Sequence, residues 1–127
     1  MSEREHALKL LQATYYDGVD RSDMALATSA LHEDIEWSHA QVWAHHGFQA
    51  GKPTQMRGRD TIRAFLEARR DQLVAAGIRH RVDDLVCSDG RGACLGHVLG
   101  PDGSRKPFMV WFELRDQLIG RYLLRPL

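Results

Sequence analysis

Apolar residues recur at helical spacing at Leu8, Leu11 and Tyr15. Upstream, Ser2 and Glu5 have the spacing of a capping box, in which each side chain satisfies an amide that has no partner inside the helix. This pattern predicts a helix over residues 3–17 with Gly18 as its stop. Ser22 is read as the cap of a short second helix carrying Met24, Ala27 and Leu31. Ile35, Trp37 and His39 then alternate with Glu36, Ser38 and Ala40, which predicts a strand. Residues 44–54, rich in Gly and His and containing Pro53, read as a loop. Gly58-Arg59-Asp60-Thr61 opens a third helix, with an apolar face of Ile62, Phe65, Leu66 and Leu73 and an end at Gly77.

From Ile78 the period changes to that of strands. Runs over about 79–87, 93–100, 106–114 and 118–124 are separated by Asp89-Gly90, Pro101-Asp102-Gly103 and Asp116-Gln117. Asp-Gly is a strong hairpin signal, because the tightest two-residue turns need positive φ at both central residues. Helices followed by a four-strand meander predict one α+β domain over residues 1–127, with the helices on one face of the sheet.

Composition narrows the function classes. Lys plus Arg and Asp plus Glu both number 17 in 127 residues, so the formal net charge is zero. Without a basic excess or a long Lys/Arg run, nucleic acid is not an expected partner. No apolar run has the length of a membrane span, and the charged start Ser2-Glu3-Arg4-Glu5-His6 does not resemble a signal peptide. A cytoplasmic location is the resulting expectation. Cys87 and Cys94 are too few for a disulfide framework. His32, His39, His45 and His46 crowd together, but their spacing matches no metal motif, so neither a metal nor an organic cofactor is expected.

A two-residue hairpin loop sets the strand register. With Asp102-Gly103 as the loop, His97 faces Phe108 and Leu95 faces Val110. With Gly90-Arg91 as the preceding loop, Asp84 faces His97 and Cys87 faces Cys94. One sheet face then carries Val82, Asp84, Val86, Leu95, His97, Phe108, Val110 and Phe112, and the other carries Cys87, Cys94, Met109 and Trp111.

Three stretches taken in order carry a resemblance. They are Tyr16-Asp17-Gly18-Val19-Asp20 running on to Leu31-His32-Glu33-Asp34-Ile35-Glu36-Trp37, then Gly58-Arg59-Asp60-Thr61-Ile62-Arg63-Ala64-Phe65-Leu66, then Trp111-Phe112-Glu113-Leu114-Arg115-Asp116 with Leu118-Ile119. Together they resemble the SnoaL-like branch of the nuclear transport factor 2-like superfamily, which includes the ketosteroid isomerases and limonene epoxide hydrolases. The resemblance implies a curved, cone-shaped antiparallel sheet, made of the meander and an N-terminal strand, packed on about three helices around a cavity. It also implies that the Val110 face is the inner one, because a cavity-facing acid of the isomerases falls at Val110. Their general base falls at His39 and their helix-one tyrosine at Gln12, with Tyr16 one turn on. Val110 cannot donate a hydrogen bond, so the isomerase oxyanion hole is absent. Leu124 stands where the epoxide hydrolases place their last Asp.

The remaining polar residues form the candidate site: an Asp84–His97 dyad, with His39 as a second acid or base. Imidazole titrates near neutrality, and a carboxylate beside it fixes the tautomer. Trp37, Tyr16, Gln12, Phe108, Val110 and Phe112 are the candidate substrate-binding residues. The expected activity is isomerase-, cyclase- or lyase-like acid–base chemistry on a small hydrophobic carbonyl compound. The alternative is a non-catalytic ligand-binding or dimerisation module with a vestigial pocket. Met109 and Trp111 on the outer face point to a homodimer. His45 and His46, near Trp43, read as part of a lid over the pocket mouth.

Overall fold

The computed structural model describes residues 1–42 and 52–127. The segment containing Trp43, His45 and His46, and with it the lid reading and most of the expected loop, lies outside the described residues. The helical elements are α1 (Glu3–Leu8), a π-helical segment Lys9–Tyr16, α2 (Asp17–Asp20), α3 (Met24–Thr28), α4 (Arg59–Ala68) and α5 (Arg70–Ala76). The strands are β1 (Leu31–Ala40), β2 (Pro53–Arg57), β3 (Arg79–Ser88), β4 (Arg91–Leu99), β5 (Arg105–Arg115) and β6 (Leu118–Pro126).

The strands form one curved sheet in the order β2-β1-β6-β5-β4-β3, and helices pack on one of its faces. The α+β cone expected from the resemblance is therefore present, with three refinements. Pro53–Arg57 is a strand paired with β1, where a loop was read up to residue 54. The β1–β6 pair is parallel, so the sheet is mixed. Leu31 begins β1 and is not part of the second helix, whose cap is Asp23 accepting from the Leu26 amide at 3.0 Å.

Gly18 does not stop the first helical run, which continues to Asp20. The residue is needed for space. A Cβ there would lie 2.7 Å from the Ala27 backbone nitrogen, so α3 can approach only a glycine. Two more glycines shape the inner face of the sheet. On Gly96 a Cβ would sit 2.6 Å from the Phe108 ring, and on Gly92 it would sit 2.8 Å from the Phe112 ring. The two phenylalanine rings fill the space of the absent side chains, and Phe108 then meets Tyr16 edge-on at 5.8 Å between centroids.

The registers differ from expectation, and the difference moves residues between faces. The β3–β4 turn is Asp89-Gly90, with φ of 55° and 75°, and Ser88 faces Arg91. Gly90-Arg91 is not the loop. The β4–β5 connection closes with Leu99 opposite Arg105, and the Gly100 amide bonds the Ser104 carbonyl at 2.9 Å. The β4–β5 change is a one-residue slip, which reverses which side chains share a face, whereas the β3–β4 change is a shift of two residues and keeps the faces as they were. Cys94, Gly96 and Val98 therefore share the inner face with Phe108, Val110 and Phe112. Leu95 and His97 point outward. A bulge at Asp83, between Val82 and Asp84, sends Asp84 and Val86 outward as well.

Candidate functional site

The wide π turns of Lys9–Tyr16 bury two consecutive pairs, Leu10 with Leu11 and Tyr15 with Tyr16. Segments of π-helix recur at functional sites. Tyr15, Tyr16 and Tyr122 of β6 form a buried aromatic cluster with Trp37. The Trp37 indole donates to the Tyr15 hydroxyl at 3.0 Å, and the Tyr16 and Tyr122 hydroxyls bond each other at 2.8 Å. Burial pushes all three phenols above their ordinary pKa.

This cluster forms one wall of a cavity of about 100 Å³. Phe65, Leu66 and Leu73 from the α4–α5 side complete its apolar lining, and the polar groups are His39, Gln41, Arg69, Gln72 and His80. Pockets for drug-sized ligands run to roughly 300–1,000 Å³, so the occupant here is compact. Arg69 stands at the break between α4 and α5. Its guanidinium lies 5.3 Å from the Phe65 ring centroid, and its Nε donates to the Gln72 Oε1 at 3.4 Å. Desolvation lowers its pKa. His39 stacks on Trp37 at 5.3 Å, and its Nδ1 lies 3.2 Å from the Gln41 amide nitrogen.

The best-held acid–base group is His80, at the start of β3. Its Nδ1 is 2.8 Å from one oxygen of Asp20, and its backbone amide donates to the other at 2.7 Å. Its carbonyl accepts from the Gln12 amide at 3.0 Å, and its ring stacks on Tyr16 at 5.1 Å. The side chains are 12% and 5% exposed for His80 and Asp20, so the pair is screened from bulk water. An ionised Asp20 accepting at Nδ1 leaves the lone pair of His80 on Nε2. No hydrogen-bond partner is found for that atom among the described residues, and the His80 ring lines the cavity.

The expected Asp84–His97 dyad does not form. His97 lies on the outer face with its Nδ1 2.9 Å from Asp83, while Asp84 is exposed and approaches Arg4. Of the candidate binding residues, Trp37 and Tyr16 line the cavity, as does His39. Phe108, Val110 and Phe112 are buried beneath it as core and do not line it. Gln12 turns away to the sheet edge, donating to the His80 carbonyl and the Asp17 carboxylate and accepting from the Val82 amide. Sequence reading missed Asp20, His80, Tyr122, Arg69 and Gln72. One signal was available for His80: it stands two residues before Val82, on the same face by strand alternation. Among the described residues no group of three or more His, Cys, Asp or Glu side chains converges as a metal site.

The family model described as SnoaL-like domain matches residues 13–122. No protein of curated function matches the chain in sequence. Solved structures match the fold. An NTF2-like protein of unknown function from Burkholderia pseudomallei K96243 aligns at a TM-score of 0.68 and 19% identity, over 99% of this chain and 92% of that one. A candidate ketosteroid isomerase from Kribbella flavida DSM 17836 aligns at 0.67 and 17% identity, over 100% and 82%. A candidate polyketide cyclase from Xanthomonas campestris pv. campestris aligns at 0.61 and 21%, over 97% and 91%.

Proposed function

This chain belongs to the SnoaL-like domain family, and we propose that within it the protein is an acid–base enzyme acting on a compact, hydrophobic carbonyl compound. The observation that carries this reading is the Asp20–His80 pair, the one His–Asp pair among the described residues whose histidine lines the aromatic cavity. The other two, His97–Asp83 and His32–Asp116, lie away from it. In this reading His80 Nε2 removes a proton α to the carbonyl, and Asp20 stabilises the imidazolium that results. The Trp37 and Phe65 rings hold the flat body of the substrate. The Arg69 guanidinium and the Gln72 amide supply donors for its oxygen as negative charge develops there. His39 is the second proton-transfer group.

The test uses α-methylphenylacetone, a compact ketone with a phenyl ring on its α-carbon, in deuterium oxide. The protein is expected to replace the benzylic α-hydrogen with deuterium, read by proton NMR. Binding of this ketone with no exchange above the buffer rate would support a non-catalytic binding module instead.

The outer sheet face supports a homodimer. Val86, Leu95, Met109 and Trp111 are 65%, 45%, 43% and 40% exposed, and they sit on adjacent strands β3, β4 and β5. Four large apolar side chains gathered on one face are unusual for a monomer. Light scattering is expected to give twice the chain mass, and Met109→Arg is expected to return it to one chain. A wild-type monomer at micromolar concentration sinks the proposal.

A further inference from the structure

Strand β3 has no strand beyond it, so the backbone groups it turns away from β4 take their partners from elsewhere. Around His80 three such groups are met by two side chains of the helical run. Asp20 accepts from the His80 amide at 2.7 Å with the carboxylate oxygen that its ring contact leaves over. Gln12 meets the other two. Its Nε2 donates to the His80 carbonyl at 3.0 Å, and its Oε1 accepts from the Val82 amide at 2.7 Å. His80 is thus held at both backbone groups, its N–H by its own acid partner and its C=O by Gln12.

The Gln12 amide has a further partner. Its Nε2 also donates to the Asp17 carboxylate at 2.9 Å, and that oxygen accepts from Arg81 Nη1 at 3.2 Å. The π turn makes this contact possible, because the Asp17 amide donates to the Gln12 carbonyl five residues back and so brings Asp17 over Gln12. With acceptors on its nitrogen side and a donor on its oxygen side, the amide fits in one orientation only. The position calls for a side chain that donates twice and accepts once. Neither a carboxylate nor an alkyl chain of the same length can do that.

We propose that Gln12 is a positioning residue for the Asp20–His80 pair. By fixing the His80 carbonyl while Asp20 fixes the His80 amide, it sets the ring against the carboxylate and keeps the ring proton on Nδ1. For its effect on rate the inference rests on the acid–base reading of the cavity; its effect on the ring does not. Gln12 does not line the cavity, so it acts through His80 and not by contact with substrate. Arg4 supplies a comparison inside the same molecule. Its Nε donates to the Leu85 carbonyl at 3.0 Å, the same kind of bond from the same helical run to the same strand, further from His80.

The test compares Gln12→Met and Gln12→Glu with Arg4→Ala. Gln12→Met removes all three bonds at similar side-chain length. Gln12→Glu keeps the acceptor for the Val82 amide and loses both donors, so it stays informative if the methionine variant does not fold. Nitrogen NMR of isotopically labelled histidine rings in mildly alkaline solution reports which ring nitrogen carries the proton, with the His80 signal assigned by its loss in His80→Ala. Wild-type His80 is expected to hold the proton on Nδ1, and both Gln12 variants to show a mixture of tautomers. In α-proton exchange of α-methylphenylacetone, kcat is expected to fall about tenfold with KM within about twofold, inside the roughly 10²-fold that a misplacement of an ångström can cost. Arg4→Ala is expected to match wild type in both readings. A His80 tautomer in the Gln12 variants identical to that of wild type overturns the proposal. An equal change in Arg4→Ala overturns it too, because the bonds would then serve only to dock the helix. A wild-type protein that exchanges no ketone removes the enzyme reading alone, since the ring NMR still decides the role of Gln12.

Discussion

Asp20→Asn is expected to lower α-proton exchange in α-methylphenylacetone by about 10²–10⁴-fold while leaving the fold intact. The size follows from the tautomer. The carboxylate accepts from the His80 amide with one oxygen and from Nδ1 with the other. Asparagine can keep the amide bond with its carbonyl, but it presents an N–H to the ring. Nδ1 must then accept, and the proton moves to Nε2, which ceases to be a base. Circular dichroism and thermal unfolding should report a folded protein. His97→Ala and Asp84→Ala are the controls, because both residues stand on the outer face. Each is expected to stay within about twofold of wild type, as substitutions away from the reacting groups do. A large loss in either control with none in Asp20→Asn would return the site to the residues first favoured and remove the role given to His80.

The second large effect is on stability in alkali. The chain has three tyrosines, Tyr15, Tyr16 and Tyr122, and all belong to the buried cluster. Burial raises each phenol above its ordinary value of 10.0, so the folded chain holds three protons that the unfolded chain releases. Stability from this source is fully present below about pH 9 and is lost as pH climbs past 10. Three protons at roughly 1.4 kcal/mol each per pH unit give a slope of about 4 kcal/mol per unit. The Cys94 thiol, pushed up to about 12 chiefly by burial, starts the decline nearer pH 9. A whole domain is stable by about 5–15 kcal/mol, so unfolding should be complete within two to three units above pH 10. Phenolate absorbance and far-ultraviolet circular dichroism should therefore change together in one transition. Phenolate appearing near pH 10 with the dichroism unchanged would mean that the tyrosines are open to water.

The architecture was legible because its determinants are local and periodic. The capping box at Ser2 is present as expected, with the Glu5 amide donating to the Ser2 hydroxyl at 3.1 Å. The Asp89-Gly90 turn and the four meander strands follow from alternation and turn chemistry. The site was less legible because single-residue events decide it. The one-residue slip at the β4–β5 connection carried His97 to the outer face, and the bulge at Asp83 turned Asp84 away from the face that His80 and Val82 share. Neither event leaves a mark in hydrophobic periodicity. Asp20 was hidden for another reason. Gly18 reads as a helix stop, yet close packing on Ala27 uses it inside the helix, and the extra turn brings Asp20 against His80. His39, Trp37 and Tyr16 line the cavity, and for His39 and Tyr16 the resemblance supplies a position that periodicity alone does not.

The contacts that seat His80 have a second effect, on solubility. Strand β3 is a sheet edge, and an open edge is a template for another chain. The N-terminal helical run occupies that template. Gln12 bonds the His80 carbonyl and the Val82 amide as a neighbouring strand would, Arg4 bonds the Leu85 carbonyl at 3.0 Å, and Glu3 bonds the Gly90 amide. The side chains of one helix thus stand in for a missing seventh strand. Any fusion, crowding surface or mutation that lifts this helix frees a β-rich edge next to exposed Val86 and Leu95, the setting in which intermolecular cross-β pairing begins. Aggregation and inactivation of this protein would then share one origin.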